Sequence, residues 1–274
     1  MKIFLDTADI EEIKTAISLG IIDGVTTNPS LIKKALQKYS KETNFSMEDY
    51  IKEILKVAGN SRPVSLEVIS TAKDKMVEEA KILFNKFNHV ANNVVVKIPI
   101  NPNVGDGNDY DGILAVNELK RLGIPVNITL VMTPEQAFLA AKAGADYVSP
   151  FIGRIDDYLR TKADLEFKKE DYFPADGFDS VDSILEDNGI VSGVHMLSVI
   201  KEIFENYDFS TKIIAASVRN ARQMREIMET GCDIATTPLY VLQDMFKHIK
   251  TEEGMKNFVK DVEIEYKEIF EKGV

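Results

Sequence analysis

Lys97 ends the run Val94-Val95-Val96-Lys97, which otherwise reads as a strand buried on both faces. A buried amine is costly unless it is paired or kept neutral. A neutral amine is a nucleophile that can form a Schiff base with a carbonyl. Taken alone, Lys97 reads first as a lysine reaching past the strand end to solvent or pairing with a carboxylate, since lysines are mostly exposed. Two carboxylates, Asp6 and Glu67, also interrupt apolar strands on other segments. Together the three residues offer an imine-forming amine with proton donors and acceptors beside it. Arg154 and Arg219 each follow a strand end, and guanidinium groups pair bidentately with phosphate. The plain alternative for each arginine is a surface ion pair.

These residues need a scaffold that gathers strand ends. Apolar strand patterns fall at 3–5, 24–26, 64–68, 94–98, 126–131, 147–150, 212–216 and near 234–237. Helical periodicity separates them, for example at 9–19, 46–58, 71–84, 113–122, 134–143 and 220–230. Helix starts are marked by Asn28-Pro29-Ser30, Ser70-Thr71 and Thr133-Pro134-Glu135. Glycines mark helix exits at Gly20, Gly123, Gly144 and Gly231. Eight strands with intervening helices predict an α/β fold, a single (β/α)8 TIM barrel domain over 1–274. In such a barrel the site lies at the C-terminal strand ends. Those ends carry Asp6, Thr26, Thr27, Asn28, Glu67, Lys97, Asn127, Thr129, Ser149, Ser217, Thr236 and Thr237. Helix capping and mouth solvation account for Thr27, Ser30 and Thr133.

Two stretches depart from the simple alternation. Segment 101–112 is rich in Gly, Asn and Asp, and Asp109, Asp111, Gly112 and Glu118 approach calcium-loop spacing. Gly107 occupies the first ligand position, so the segment reads as a βα loop and no metal is expected. Segment 156–197 is too long for an ordinary βα loop and predicts an extra helical excursion.

Composition narrows the partners. The net charge of −11 argues against nucleic acid and anionic membranes. No apolar run approaches the roughly 18 residues of a membrane span. The single cysteine, Cys232, permits no internal disulfide and fits a reducing, cytoplasmic setting. Lys2-Ile3-Phe4-Leu5 opens the chain as a strand, with no cleavable signal expected.

Several segments resemble the transaldolase family, which groups transaldolases with fructose-6-phosphate aldolases. They are Leu5-Asp6-Thr7-Ala8-Asp9, Gly24-Val25-Thr26-Thr27-Asn28-Pro29-Ser30-Leu31, Val95-Val96-Lys97-Ile98-Pro99 and Asn127-Ile128-Thr129-Leu130. Ser149-Pro150-Phe151-Ile152-Gly153-Arg154 and Ala216-Ser217-Val218-Arg219-Asn220 match it too. The resemblance runs in order along nearly the whole chain, and Thr-Thr-Asn-Pro-Ser is its most specific segment.

The resemblance implies a class I aldol mechanism with no metal or cofactor, in carbohydrate interconversion of the pentose phosphate pathway. Lys97 would form the Schiff base. Asp6 would exchange a proton with the hydroxyl of the bond being cleaved. Glu67 would act through a water during imine formation and loss, and Thr129 would help place that water. Asn28 and Asn127 would hold the dihydroxyacetone unit, with Thr26 and Ser149 lining the site. Arg154, Ser217 and Arg219 would hold the acceptor phosphate. Within the family, Glu67 stands where the aldolase subgroup carries Gln, and Phe151 where it carries Tyr. Both favour transfer over cleavage, because an apolar ring leaves water poorly placed to release the intermediate. The chain starts as the small subgroup does, while 156–197 resembles the larger enzymes. A homo-oligomer is expected, of open size. A ketose-phosphate aldolase and a non-catalytic phosphosugar-binding barrel remain as alternatives.

Overall fold

The computed structural model describes residues 1–39, 46–105, 107–178 and 185–271. Eight parallel strands close in sequence order, with β1 (Lys2–Asp6) pairing both β2 (Gly24–Thr26) and β8 (Ile234–Thr237). Between them lie β3 (Val64–Glu67), β4 (Val94–Pro99), β5 (Val126–Val131), β6 (Tyr147–Pro150) and β7 (Lys212–Ala215). The predicted (β/α)8 barrel is therefore present. Strand assignments agree to within a residue at each end, because runs of Val and Ile buried on both faces leave little freedom of placement.

Local chemistry fixes the helices. Asp9 caps α1 (Ile10–Ser18) by accepting from the backbone N–H groups of Glu11 and Glu12. Ser46 caps α3 (Met47–Ala58), and α4 (Lys73–Phe87) and α5 (Asp111–Arg121) follow β3 and β4. Thr133 caps α6 (Pro134–Ala143), whose Pro134 stands where a missing N–H costs nothing. That helix ends on Gly144 in the left-handed region, φ 92°. Thr27 and Ser30 do not cap α2 (Pro29–Tyr39), contrary to expectation. Asn28 does, its Oδ1 accepting from Leu31 N–H at 2.9 Å. The Thr27 hydroxyl instead donates to the Ser65 carbonyl, tying β2 to β3. Ser70 and Thr71 also leave α4 uncapped; the Glu79 carboxylate takes the Ile69 and Ser70 N–H groups and the Ser70 hydroxyl.

The excursion expected at 156–197 is present, and its helix begins earlier. Helix α7 (Ile152–Lys162) follows β6 at once, and between it and α8 (Gly193–Asn206) the described residues 163–178 and 185–192 form an irregular strap. Residues 193–197 therefore belong to a barrel helix that leads into β7. Helix α9 (Ala221–Glu229) separates β7 from β8. After β8 come α10 (Leu239–Met245), α11 (Ile249–Lys260) and α12 (Ile264–Glu271). None of the residues of α11 is buried, and Phe258, Ile264 and Phe270 are about 70% exposed (72%, 72% and 70%).

Segment 101–112 is the βα loop that the sequence implied. Asp109 accepts from Asn103 and Asp111 from Lys73 N–H, while Glu118, further along in α5, pairs with Lys73 and Lys81. The loop returns to the barrel at Gly112, where an added Cβ would lie 2.1 Å from the Pro99 carbonyl oxygen. Lys97 sits just upstream. Gly112→Ala is expected to destabilise the fold by about 1–3 kcal/mol through this backbone clash. Thermal unfolding measures it, and an unchanged Tm would contradict the packing described.

Candidate active site

The strand register brings the predicted residues together at the C-terminal mouth. Glu67 pairs with Lys97 across β3 and β4, and Lys97 pairs with Asn127 across β4 and β5. Lys97 Nζ lies 3.0 Å from Glu67 Oε2 and donates to the Thr27 carbonyl at 2.8 Å. Of the two ways to tolerate a buried lysine, the structure shows pairing. Only 7% of the Lys97 side chain and 16% of the Glu67 side chain are exposed, so water screens the pair weakly.

Asp6 ends β1 on the other side of the mouth. Thr26 Oγ1 donates to Asp6 Oδ1 at 2.8 Å and lies 2.5 Å from Thr236 Oγ1. With the Thr26 proton given to an ionised Asp6, Thr236 must donate to Thr26, so the three form a directional chain. Asp6 keeps some surface toward the mouth, but its carboxyl sits deep enough that burial raises its pKa. The charge of Lys97, the Thr26 hydrogen bond, and then Lys169 and Arg219 oppose that rise without cancelling it.

Asn127 lies between two hydroxyls. Its Oδ1 accepts from Ser149 Oγ at 2.8 Å, and its Nδ2 donates to Ser65 Oγ at 3.3 Å. Ser65 escaped the sequence reading, since a lone serine inside a strand looks like filler. Thr129 is fully buried, and its hydroxyl has no partner among the described residues. The β5 register shifts between Ile128 and Val131, and Leu130 adopts φ 58°. That bulge re-aims the strand end, and a leucine in the left-handed region is a strained conformation of the sort stored at functional sites.

Phe151, Arg154, Ser217 and Arg219 occupy the next sector. Phe151 bridges to Ala216, and the Arg154 guanidinium lies 4.8 Å from the Phe151 ring centroid. Ser217 is held at φ 64°. Arg219 is buried and pairs through Nη2 with Asp157 Oδ2 at 2.5 Å. The sequence alternative of an ion pair therefore holds for Arg219, though the pair is not on the surface. Gly153 makes room for it, since a Cβ there would lie 2.4 Å from Arg219 Nε and 2.2 Å from the Ser217 carbonyl oxygen.

A buried polar layer behind Arg219 was also missed. Gln223 Oε1 accepts from Arg219 N–H at 2.8 Å, and Gln223 Nε2 donates to Asp156 Oδ2 at 2.6 Å. Asp156 Oδ1 accepts from Gly193 N–H at 2.7 Å. On a helix, such carboxylates read as a solvated face. The only sequence signal was their spacing, Asp157 lying one helical turn beyond Arg154.

The family described as Transaldolase/Fructose-6-phosphate aldolase matches residues 3–274. The chain belongs to this family. Proteins named probable transaldolase are similar across nearly their full lengths. The one from Aquifex aeolicus is 41% identical over 263 residues, 96% of this chain and 97% of that one. The one from Thermoplasma acidophilum is 41% identical over 261 residues, 95% of each chain. The one from Syntrophobacter fumaroxidans is 42% identical over 264 residues, covering 96% and 97%. The chain is accordingly an enzyme of the transaldolase type, and phosphosugars are the family's substrates.

Burial pushes the Asp156 carboxyl up to about 7, against the lowering effects of Gly193 N–H, Arg160 and Gln223. The folded chain holds this proton more tightly than the unfolded chain. Its contribution to stability is full below the ordinary value of 3.8 and is lost as pH rises through about 7. Asp156→Asn removes the titration. Wild type is therefore expected to lose roughly 1–4 kcal/mol relative to the variant between about pH 4 and 7.5. Thermal unfolding of both proteins across that range measures the gap, and a constant gap contradicts the assignment.

Proposed function

We propose that this enzyme is a transaldolase. It moves a dihydroxyacetone unit from a ketose phosphate, fructose 6-phosphate or sedoheptulose 7-phosphate, to an aldose phosphate, erythrose 4-phosphate or glyceraldehyde 3-phosphate. One observation carries the reading: a buried lysine in direct contact with one carboxylate, facing a second carboxylate whose pKa burial has raised.

Lys97 gives a proton to Glu67 and its freed amine attacks the ketone carbonyl. Glu67 returns the proton through a bound water to the carbinol oxygen, which leaves as water, and a protonated imine forms. The Thr129 hydroxyl, buried and without a partner among the described residues, supports that residue's role in holding a water there. Asp6 takes the proton from the hydroxyl beside the scissile bond, and the aldose departs. The remaining three-carbon carbanion is stabilised by the protonated imine. A second aldose accepts it when Asp6 returns the proton, and hydrolysis of the imine restores Lys97. Asn28 offers its amide N–H groups, since its carbonyl is committed to Leu31. Asn127 retains one unspent N–H after its bond to Ser65. Arg154, Ser217 and Arg219 take the phosphate.

The second reading is a fructose-6-phosphate aldolase. Glu67 and Phe151 favour transfer, and the Arg154 guanidinium packs 4.8 Å from the Phe151 ring centroid, which fixes the position of that ring. A coupled assay separates the two. Aldehyde release from fructose 6-phosphate is expected to depend on added erythrose 4-phosphate. Free dihydroxyacetone forming at the full rate without an acceptor would instead make the enzyme a lyase.

Phe151→Tyr adds a hydroxyl at nearly constant volume. It is expected to raise acceptor-independent release of dihydroxyacetone several-fold and to lower transfer relative to release. A parallel fall of both activities on one preparation would mean that Phe151 does not control the fate of the intermediate.

We further infer a cytoplasmic protein that assembles with copies of itself. The free, buried Cys232 and phosphosugar chemistry fit the first; the uncovered apolar residues of α11 and α12 fit the second. Light scattering is expected to give a mass above that of one chain. A monomer at micromolar concentration would contradict the assembly.

A further inference from the structure

We propose that Lys169, carried on the strap between α7 and α8, is a further cation of the phosphate site and selects phosphorylated sugars. The inference rests on the phosphosugar reading above and adds a residue to it.

The strap is clamped from both sides. Beneath it, the Arg160 guanidinium packs 5.0 Å from the ring centroids of both Phe167 and Phe173. Its Nη2 donates to the Asp171 carbonyl at 2.8 Å. Toward α9, the Tyr172 hydroxyl donates to Glu226 at 2.7 Å, and the Arg222 guanidinium covers the Tyr172 ring at 3.6 Å. Between these anchors the chain makes a tight turn. Asp171 N–H donates to the Lys168 carbonyl at 3.0 Å, and Lys168 N–H donates to Asp171 Oδ2 at 2.7 Å. Lys169 is the first residue of that turn's tip.

The turn is also fastened beside the phosphate arginine. Asn220 follows Arg219 directly, and its Nδ2 donates to the Glu170 carbonyl at 3.2 Å. That bond holds the tip of the turn, with Lys169 next to Glu170, against the segment that follows β7 and carries Arg219. The Lys169 charge is among those that oppose the raised pKa of Asp6.

Pairing separates the cations at this rim. Lys97 is matched by Glu67 and Arg219 by Asp157. Neither Lys169 nor Arg154 forms an ion pair among the described residues. An ordinary surface lysine is simply solvated. Lys169 differs because packing fixes its turn at the rim, and because the mouth beneath already holds an arginine suited to phosphate. A dianionic phosphate offers several acceptor oxygens, more than one arginine satisfies. Lys169 and Arg154 then supply positive charge that no ion pair among the described residues engages, in a chain of net charge −11.

The test compares Lys169→Ala, Lys169→Arg and Lys168→Ala with wild type, as full-length chains. For Lys169→Ala, KM for fructose 6-phosphate is expected to rise about tenfold with kcat unchanged. The dissociation constant of inorganic phosphate, read by calorimetry, should rise by a similar factor. KM for unphosphorylated fructose should not move. Lys169→Arg should restore phosphate binding, and Lys168→Ala should leave it intact. Equal losses with both ketoses would overturn the proposal. So would unchanged phosphate binding accompanied by a displaced acid limb of the pH profile, which would make Lys169 a modifier of Asp6. Failure of the broader reading looks different. Wild type would then show no transfer, while the loss of phosphate binding in Lys169→Ala would still support Lys169 as an anion ligand.

Discussion

A charged lysine inside a ring of apolar strands is the constraint on which the rest of this structure depends. Moving an ammonium and a carboxylate out of water costs several kcal/mol each after relaxation, and their mutual attraction repays this only with good geometry. Here the geometry comes from the barrel itself. Parallel register sets Glu67 directly beside Lys97, and Thr27, the residue after β2, contributes its carbonyl as a further acceptor. A pair of apolar residues would serve stability as well or better. Under the proposed function the pair serves the chemistry, with the Lys97 amine and the Glu67 carboxylate in direct contact at 3.0 Å.

The same logic extends outward in polar layers. Asn127 is held between Ser149 and Ser65, so its amide orientation is set before any ligand arrives. Arg219 is oriented by Asp157 through its side chain and by Gln223 through its backbone, and Asp156 of α7 accepts in turn from the Gln223 amide. The strained backbone at Leu130 and Ser217 falls at the ends of β5 and at the turn after β7, beside Thr129 and Arg219. Each device fixes a polar group at the mouth, where flexibility would blur the separation of reacting atoms.

Much of this was legible in the sequence, for identifiable reasons. Runs such as Val94-Val95-Val96 announce strands buried on two faces, and eight of them imply closure. Polar residues that interrupt such runs stand out, which exposed Asp6, Glu67 and Lys97. Residues on helices and loops carried no such contrast. Asp156, Asp157 and Gln223 look like a solvated helical face until α7 is seen lying against α8 and α9. The start of α7 was hidden because Phe151 supplies no capping side chain. Helices α11 and α12 have apolar residues that the described barrel leaves uncovered, so core packing gave no guide to them. The capping of α2 went to Asn28 because the Thr27 hydroxyl was claimed across the sheet, a competition that only three dimensions reveal.

The central claim is that Lys97 carries the substrate covalently, and mass spectrometry after borohydride reduction tests it most directly. With fructose 6-phosphate present, a three-carbon adduct is predicted on the peptide containing Lys97 and absent from Lys97→Ala. An adduct of the same mass on the Lys97→Ala protein, or full transfer activity in that variant, would contradict the account.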